Sequence, residues 1–169
     1  MKSYILLGII LWLAQVFLSG CHNNTTNKAL EAIKEVPSFK IISIDSSQIL
    51  DSKEIPQGRP LIFVYFDPDC AHCNKETEAI MAHFTSLRRT RLYFLTNGDQ
   101  IQTKEFYKRY RFDTTVNISL WRDYNYSFFG KFLPPGVPYI VVYDSERKLL
   151  KLYNGETDIN EICAILKQS

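Results

Sequence analysis

Leu61-Ile-Phe-Val-Tyr-Phe66, followed directly by Asp67-Pro-Asp-Cys70-Ala-His-Cys73, is the stretch on which the fold turns. An almost continuously apolar run of this length suits a strand covered on both faces, and therefore a central one. Past it, from Cys73 onward, Ile80, Met81, Phe84 and Leu87 recur at helical spacing and predict a helix ending near Arg88 to Thr90. The two cysteines are thus carried from the end of a strand into the first turn of a helix. There the partial positive charge of the helix N-terminus and its free N–H groups favour a thiolate at Cys70. Cys73 follows on the same helix face, within reach of a disulfide with Cys70. His72 offers a cationic neighbour that adds to the thiolate preference, whereas Asp67 and Asp69 oppose it.

Working outward, Ser38-Phe-Lys-Ile-Ile-Ser-Ile44 reads as a strand, and the polar stretch on to Pro60, with Pro56 and Gly58, as a loop or broken hairpin. On the other side, Arg91-Leu-Tyr-Phe-Leu-Thr96 is a strand stopped by Asn97-Gly98-Asp99. A helix around Thr103 to Tyr110 follows, with Phe106, Tyr107 and Tyr110 toward one side. Strand, helix, strand, helix implies right-handed crossovers and parallel neighbours. Tyr124 to Phe132 is an aromatic segment, expected as a short helix or ordered loop whose rings serve the core rather than a ligand cage. Pro134-Pro135-Gly136 breaks the pattern. Tyr139-Ile-Val-Val-Tyr143, a turn over Asp144 to Arg147, and Lys148-Leu-Leu-Lys-Leu-Tyr153 then form an antiparallel hairpin. Asp158 as N-cap, with Glu161 at N3, opens a final helix through Lys167.

The N-terminal end has a different character. Lys2 precedes an apolar run from Ile5 to Leu18, interrupted by Gly8 and Gln15 and short for a spanning helix. It ends in Leu18-Ser19-Gly20-Cys21, which resembles the lipobox of bacterial lipoproteins. That resemblance implies a signal peptide over residues 1–20, cleavage before Cys21, and acylation of Cys21 with enough fatty chains for stable membrane anchoring. An ordinary signal peptide or an uncleaved anchor is the alternative. Residues 21–37 are then a lipidated N-terminus and polar tether, and residues 38–169 one domain. No acidic run follows Cys21, so a periplasm-facing position in the cell envelope is expected.

A formal net charge of +2 argues for neither nucleic acid nor an acidic partner. The basic groups Arg88, Arg89 and Arg91, and Lys104, Lys108, Arg109 and Arg111, are expected on solvated helix faces. Of the four cysteines, Cys21 is assigned to lipid and Cys70 and Cys73 form a pair. Cys163, on the stripe Ile159, Ile162, Cys163, Leu166, is expected to be a small buried hydrophobe.

These parts in this order resemble the thioredoxin fold, and the exported, anchored context looks like the TlpA-like and ResA-like branch of thiol-disulfide oxidoreductases. The expected architecture is α/β: a central mixed sheet flanked by helices, with a C-terminal β-hairpin and helix. The resemblance covers about Ser38 to Gln168. It rests on the strand with Cys70-Ala71-His72-Cys73, on Gly136-Val137-Pro138-Tyr139 opening the hairpin, and on the terminal amphipathic helix. It implies a cis Val137–Pro138 bond, Pro138 beside Cys70, and a Val137 backbone able to pair with an extended substrate.

Three departures accompany the match. Val64 stands where thioredoxins carry a buried acid, Asp69 replaces the usual aromatic residue before the first cysteine, and Glu78 stands where many members have a helix-kinking proline. Glu76 matches an acid frequent in TlpA-like proteins; a surface salt bridge is its expected setting, with help in proton transfer as the other role.

Thiol chemistry then gives the mechanism: Cys70 forms a mixed disulfide with a protein partner of the envelope, and Cys73 resolves it. Such exchange requires no metal and no organic cofactor, although a redox partner must exist. The Ala-His dipeptide resembles the Pro-His of oxidising DsbA-type proteins, while the lipoprotein architecture points to the reducing group, and a reductase is the expectation. Other readings are a redox-inactive binding module with a structural Cys70–Cys73 disulfide, a metal site at Cys70, His72 and Cys73, and a peroxidase. The metal reading is short of ligands, and the peroxidase reading lacks its usual Thr-x-x-Cys setting.

Overall fold

A seven-stranded sheet organises the computed structural model, which describes residues 28–168. In chain order the elements are β1 (Lys40–Ser43), β2 (Ile49–Asp51), β3 (Leu61–Tyr65), α1 (Ala71–Ala82), α2 (Phe84–Leu87), β4 (Arg91–Thr96) and α3 (Gln100–Arg109). They continue with β5 (Ile118–Arg122), α4 (Ser127–Phe132), β6 (Tyr139–Tyr143), β7 (Leu149–Asn154) and α5 (Ile159–Gln168). The sheet order is β2-β1-β5-β4-β3-β6-β7. β3, β4 and β5 are mutually parallel, and the remaining pairs are antiparallel. The stretch expected to be a signal peptide, Cys21 and the expected tether as far as residue 27 lie outside the described residues.

β3 is central because both of its faces are apolar. Its period-two alternation sends Ile62 and Val64, with Phe66 just beyond, into a core shared with Ile80, Phe106 and Ile162 of the helices. Leu61, Phe63 and Tyr65 go to the opposite core, with Phe39, Phe128 and Phe132. β6 repeats the division, Ile140 and Val142 to one side and Tyr139, Val141 and Tyr143 to the other. Burial of each such side chain contributes about 1.5–3 kcal/mol, so these two strands carry a large part of the stability.

Several expectations need correction. The helix after the cysteines does not run unbroken to Arg88. It stops at His83, whose ring nitrogen Nδ1 lies 2.8 Å from the Ala79 carbonyl, and the short α2 resumes beyond it. The next helix begins earlier than Thr103 because Asp99 caps it, accepting from the N–H groups of Ile101 and Gln102 at 2.8 and 3.1 Å. The polar stretch before Pro60 holds β2, paired with β1 as a hairpin.

β5 lies where the sequence reading placed no strand, with Ile118 and Leu120 facing one core and Trp121 the other. Asn117 fixes its entry, donating from Nδ2 to the carbonyls of Leu87 and Thr90 at 3.0 and 2.9 Å.

The aromatic segment divides: Phe128 and Phe132 are core, whereas Tyr124, Tyr126 and Phe129 are exposed. Cys163 is only half-buried and lines a surface cavity of about 420 Å³ with Arg89 and Lys167. Packing also begins before Ser38. Ile33 is buried, the Tyr143 hydroxyl donates to its carbonyl at 2.9 Å, and the Leu149 N–H donates to the Lys34 carbonyl at 2.8 Å.

Candidate active site

The pair of cysteines sits where β3 hands over to α1. The Phe66 N–H still donates to Leu95 at 3.0 Å, and then Asp67 turns the chain by accepting from Asp69 N–H at 2.9 Å through its carboxylate and from Cys70 N–H at 3.1 Å through its carbonyl. The turn leans on β4's end. A Cβ at Gly98 would fall 2.8 Å from Cδ of Pro68, so only glycine fits there without displacing the turn. Asp69 is held by the Gln102 side-chain amide.

Cys70 is the N-cap of α1, with φ −75° and ψ 119°. Its Sγ accepts from Cys73 N–H at 3.4 Å and lies 3.9 Å from the Val137 carbonyl oxygen. The Val137–Pro138 peptide bond is cis. Cys70 is half-buried, so its sulfur is reachable, and it sits at a helix N-terminus where the Cys73 N–H points toward it. Asn74 braces this turn: Nδ2 donates to the Cys70 carbonyl at 2.9 Å, while Oδ1 receives Tyr110 Oη at 2.9 Å and an Arg109 guanidinium N–H at 3.2 Å.

Cys73 is 1% exposed, and both cysteines are free thiols. Burial pushes the Cys73 thiol strongly upward, against the pull of the Asp67 backbone N–H. The two sulfurs are therefore unlike: one reachable and served by the Cys73 N–H, the other sealed and held protonated.

Glu76 is not the surface acid expected from the sequence. It is 2% exposed, with Oε2 accepting from Thr157 N–H at 2.8 Å and Oε1 without a partner. Burial raises its pKa above the ordinary 4.5; the Thr157 bond opposes the rise and the nearby Glu156 charge adds to it. It occupies the α1 face that also carries Cys73, one turn further along. Val64, 1% exposed, fills with a hydrocarbon the place where thioredoxins keep an acid, leaving Glu76 as the buried carboxyl of this helix.

His72 points outward, its Nδ1 on the carboxylate of Glu156, which Lys75 Nζ also approaches at 3.6 Å. These contacts, His72 foremost, hold the Glu156 carboxyl below its usual range. The sequence reading missed both Glu156 and Thr157. A lone Gly-Glu-Thr loop after a strand carries no local sign of what it will meet.

No known family model matches the chain. It is 25% identical over 117 residues to the methylamine utilization protein MauD of Methylophilus methylotrophus, a match covering 68% of this chain and 51% of that protein. The chain thus spans about half the length of that curated relative. Among solved structures it resembles a secreted Mycobacterium tuberculosis disulfide oxidoreductase homologous to Escherichia coli DsbE, with a TM-score of 0.65 at 15% identity over 82% of this chain and 98% of that one. The exposed lipoprotein thioredoxin of Streptococcus pneumoniae aligns with a TM-score of 0.62 at 14% identity, covering 78% and 99%. StoA of Bacillus subtilis aligns at 0.59 and 12% identity, covering 76% and 95%. With its mixed central sheet, flanking helices and cysteine pair at the strand-to-helix junction, the chain is a thioredoxin-fold protein, built like the thiol-disulfide oxidoreductases that it resembles.

Proposed function

We propose that this protein is a membrane-anchored thiol-disulfide oxidoreductase of the cell envelope, working through Cys70 and Cys73 on extracytoplasmic proteins. The observation that carries the reading is the asymmetry of the pair: a half-buried Cys70 sulfur at a helix N-terminus 3.9 Å from the Val137 carbonyl, against a sealed Cys73. A nucleophile must be reachable; a resolving thiol must only reach the nucleophile.

In the reducing direction, Cys70 thiolate attacks one sulfur of a substrate disulfide. The Cys70–substrate disulfide forms, the substrate S–S bond breaks, and the departing thiolate takes a proton. Cys73 then loses its proton, which we assign to the carboxylate of Glu76 one turn along the same buried helix face, and attacks Cys70 Sγ. The intramolecular disulfide closes and the second substrate thiol leaves, so two electrons have passed from the protein to the substrate. The Val137 backbone, at the edge facing Cys70, receives the extended substrate segment as an added strand. A separate donor, itself a protein dithiol, must return the pair to the reduced state.

Anchoring through acylated Cys21 would hold this site at a membrane facing the periplasm; among the described residues no helix is long and apolar enough to cross a membrane. The extracytoplasmic assignment is supported by the secreted and lipoprotein character of the structural relatives above. The test is turnover of a disulfide substrate such as insulin with a dithiol donor. The wild-type domain is expected to accelerate reduction and Cys70→Ser to abolish it. Equal rates for the two proteins would refute the proposal.

A further inference from the structure

Three consecutive residues after β7 each engage a different part of the candidate site. The Gly155 N–H donates to the carbonyl of Pro138 at 2.8 Å, on the edge beside Cys70. The Glu156 carboxylate takes the ring nitrogen of His72, the residue between the cysteines. The Thr157 N–H donates to Glu76 Oε2 at 2.8 Å. Gly155 makes the sharp turn possible at φ +91°, a conformation that side chains rarely adopt. The two backbone bonds fix the loop on either side of Glu156, so the backbone from which its carboxylate reaches His72 is set by the fold.

On this basis, and resting on the redox reading above, we infer that Glu156 is a positioning residue for His72 and thereby sets the redox equilibrium of the Cys70–Cys73 pair. Bound to Glu156, the imidazole is drawn to the outside of α1, and any positive charge on it is met by a carboxylate. Both effects withhold His72 from the Cys70 sulfur. A thiolate that lacks this cationic help is less stable, so the reduced form is less favoured and the pair is a better reductant. Lys75 shares the same carboxylate and Glu76 lies on the buried side, so Glu156 is the exposed negative charge at the point where the loop meets the active-site helix.

The test compares wild type with Glu156→Gln in glutathione buffers of fixed composition, quenching with acid and reading the reduced fraction by alkylation and mass. The reaction is oxidised protein plus two glutathione giving reduced protein plus glutathione disulfide. Its equilibrium constant is expected to rise about threefold in Glu156→Gln, the scale of an exposed ion pair's effect. The rise should vanish when the substitution is made in a His72→Ala background. Glu146→Gln removes an equal charge from an exposed pair with Lys148 on the β6–β7 turn and should leave the constant unchanged. An unchanged or lowered constant in Glu156→Gln, or the same rise with His72 absent, overturns the inference while the redox reading stands. A wild-type pair that does not exchange with glutathione at all overturns both.

Discussion

Replacing Glu76 by glutamine should make the protein gain stability relative to wild type as pH rises out of the acid range. The carboxyl is 2% exposed, one oxygen is bonded to Thr157 N–H at 2.8 Å, and the other has no partner. In the unfolded chain the group titrates near 4.5, whereas burial raises it in the folded state. Between those two values the folded protein holds a proton that the unfolded chain has released. Stability therefore falls as pH rises through that window and stays lowered above it. Once ionised, the carboxylate keeps one buried oxygen without a donor, and an unsatisfied buried polar group of this kind costs about 1–3 kcal/mol. Glutamine keeps the carbonyl acceptor for Thr157 and never ionises.

Urea unfolding of the two proteins under reducing conditions, at about pH 4 and about pH 8, measures the effect as a change in their stability difference. Glu76→Gln is expected to gain on wild type by that amount between the two pH values. In rapid-mixing exchange, the same variant should resolve mixed disulfides more slowly, because the acceptor proposed for the Cys73 proton is gone. A stability difference that is flat with pH, or in which wild type gains as pH rises, would show that the carboxyl is not held in an unfavourable buried state and would remove the ground for its role.

Two further substitutions probe how the scaffold holds the site. Phe128→Ala removes a fully buried ring stacked on Phe132 at 4.1 Å and on Tyr65 at 5.2 Å, and should cost about 3–5 kcal/mol in denaturant unfolding; a cost below about 1 kcal/mol would mean that α4 does not support the sheet. Gly98→Ala places a Cβ 2.8 Å from Pro68 Cδ and should cost about 1–3 kcal/mol while also altering the alkylation rate of Cys70, because the turn before Cys70 must move; a stable variant with an unaltered rate would contradict the close packing.

What could be read from the chain alone follows from how local each signal is. β3 was legible because Leu61 to Phe66 is apolar at every position. The cysteine pair was legible because its motif lies at the junction that strand defines. The Val137–Pro138 edge was legible only through the family resemblance, since the Val137 carbonyl reaches the Cys70 sulfur by folding across 67 residues. β5 was missed because Ile118 and Leu120 alternate with Ser119 and a partly buried Trp121 in a short run without strong boundaries. Glu76 was misread as a surface acid because its burial depends on a Thr157 N–H 81 residues away. Its spacing from the cysteines was visible; the loop that covers it was not. The same loop delivers Glu156 to His72 across 84 residues, a contact that no local pattern encodes.

The most direct test of the central claim uses Cys73→Ser, which leaves the reachable sulfur in place and removes the one that resolves. Incubated with an excess of a disulfide-bonded peptide and analysed by mass after proteolysis, this variant should accumulate a single mixed disulfide at Cys70. Absence of an adduct, or one found on Cys163 instead, would contradict the assignment of Cys70 as the nucleophile.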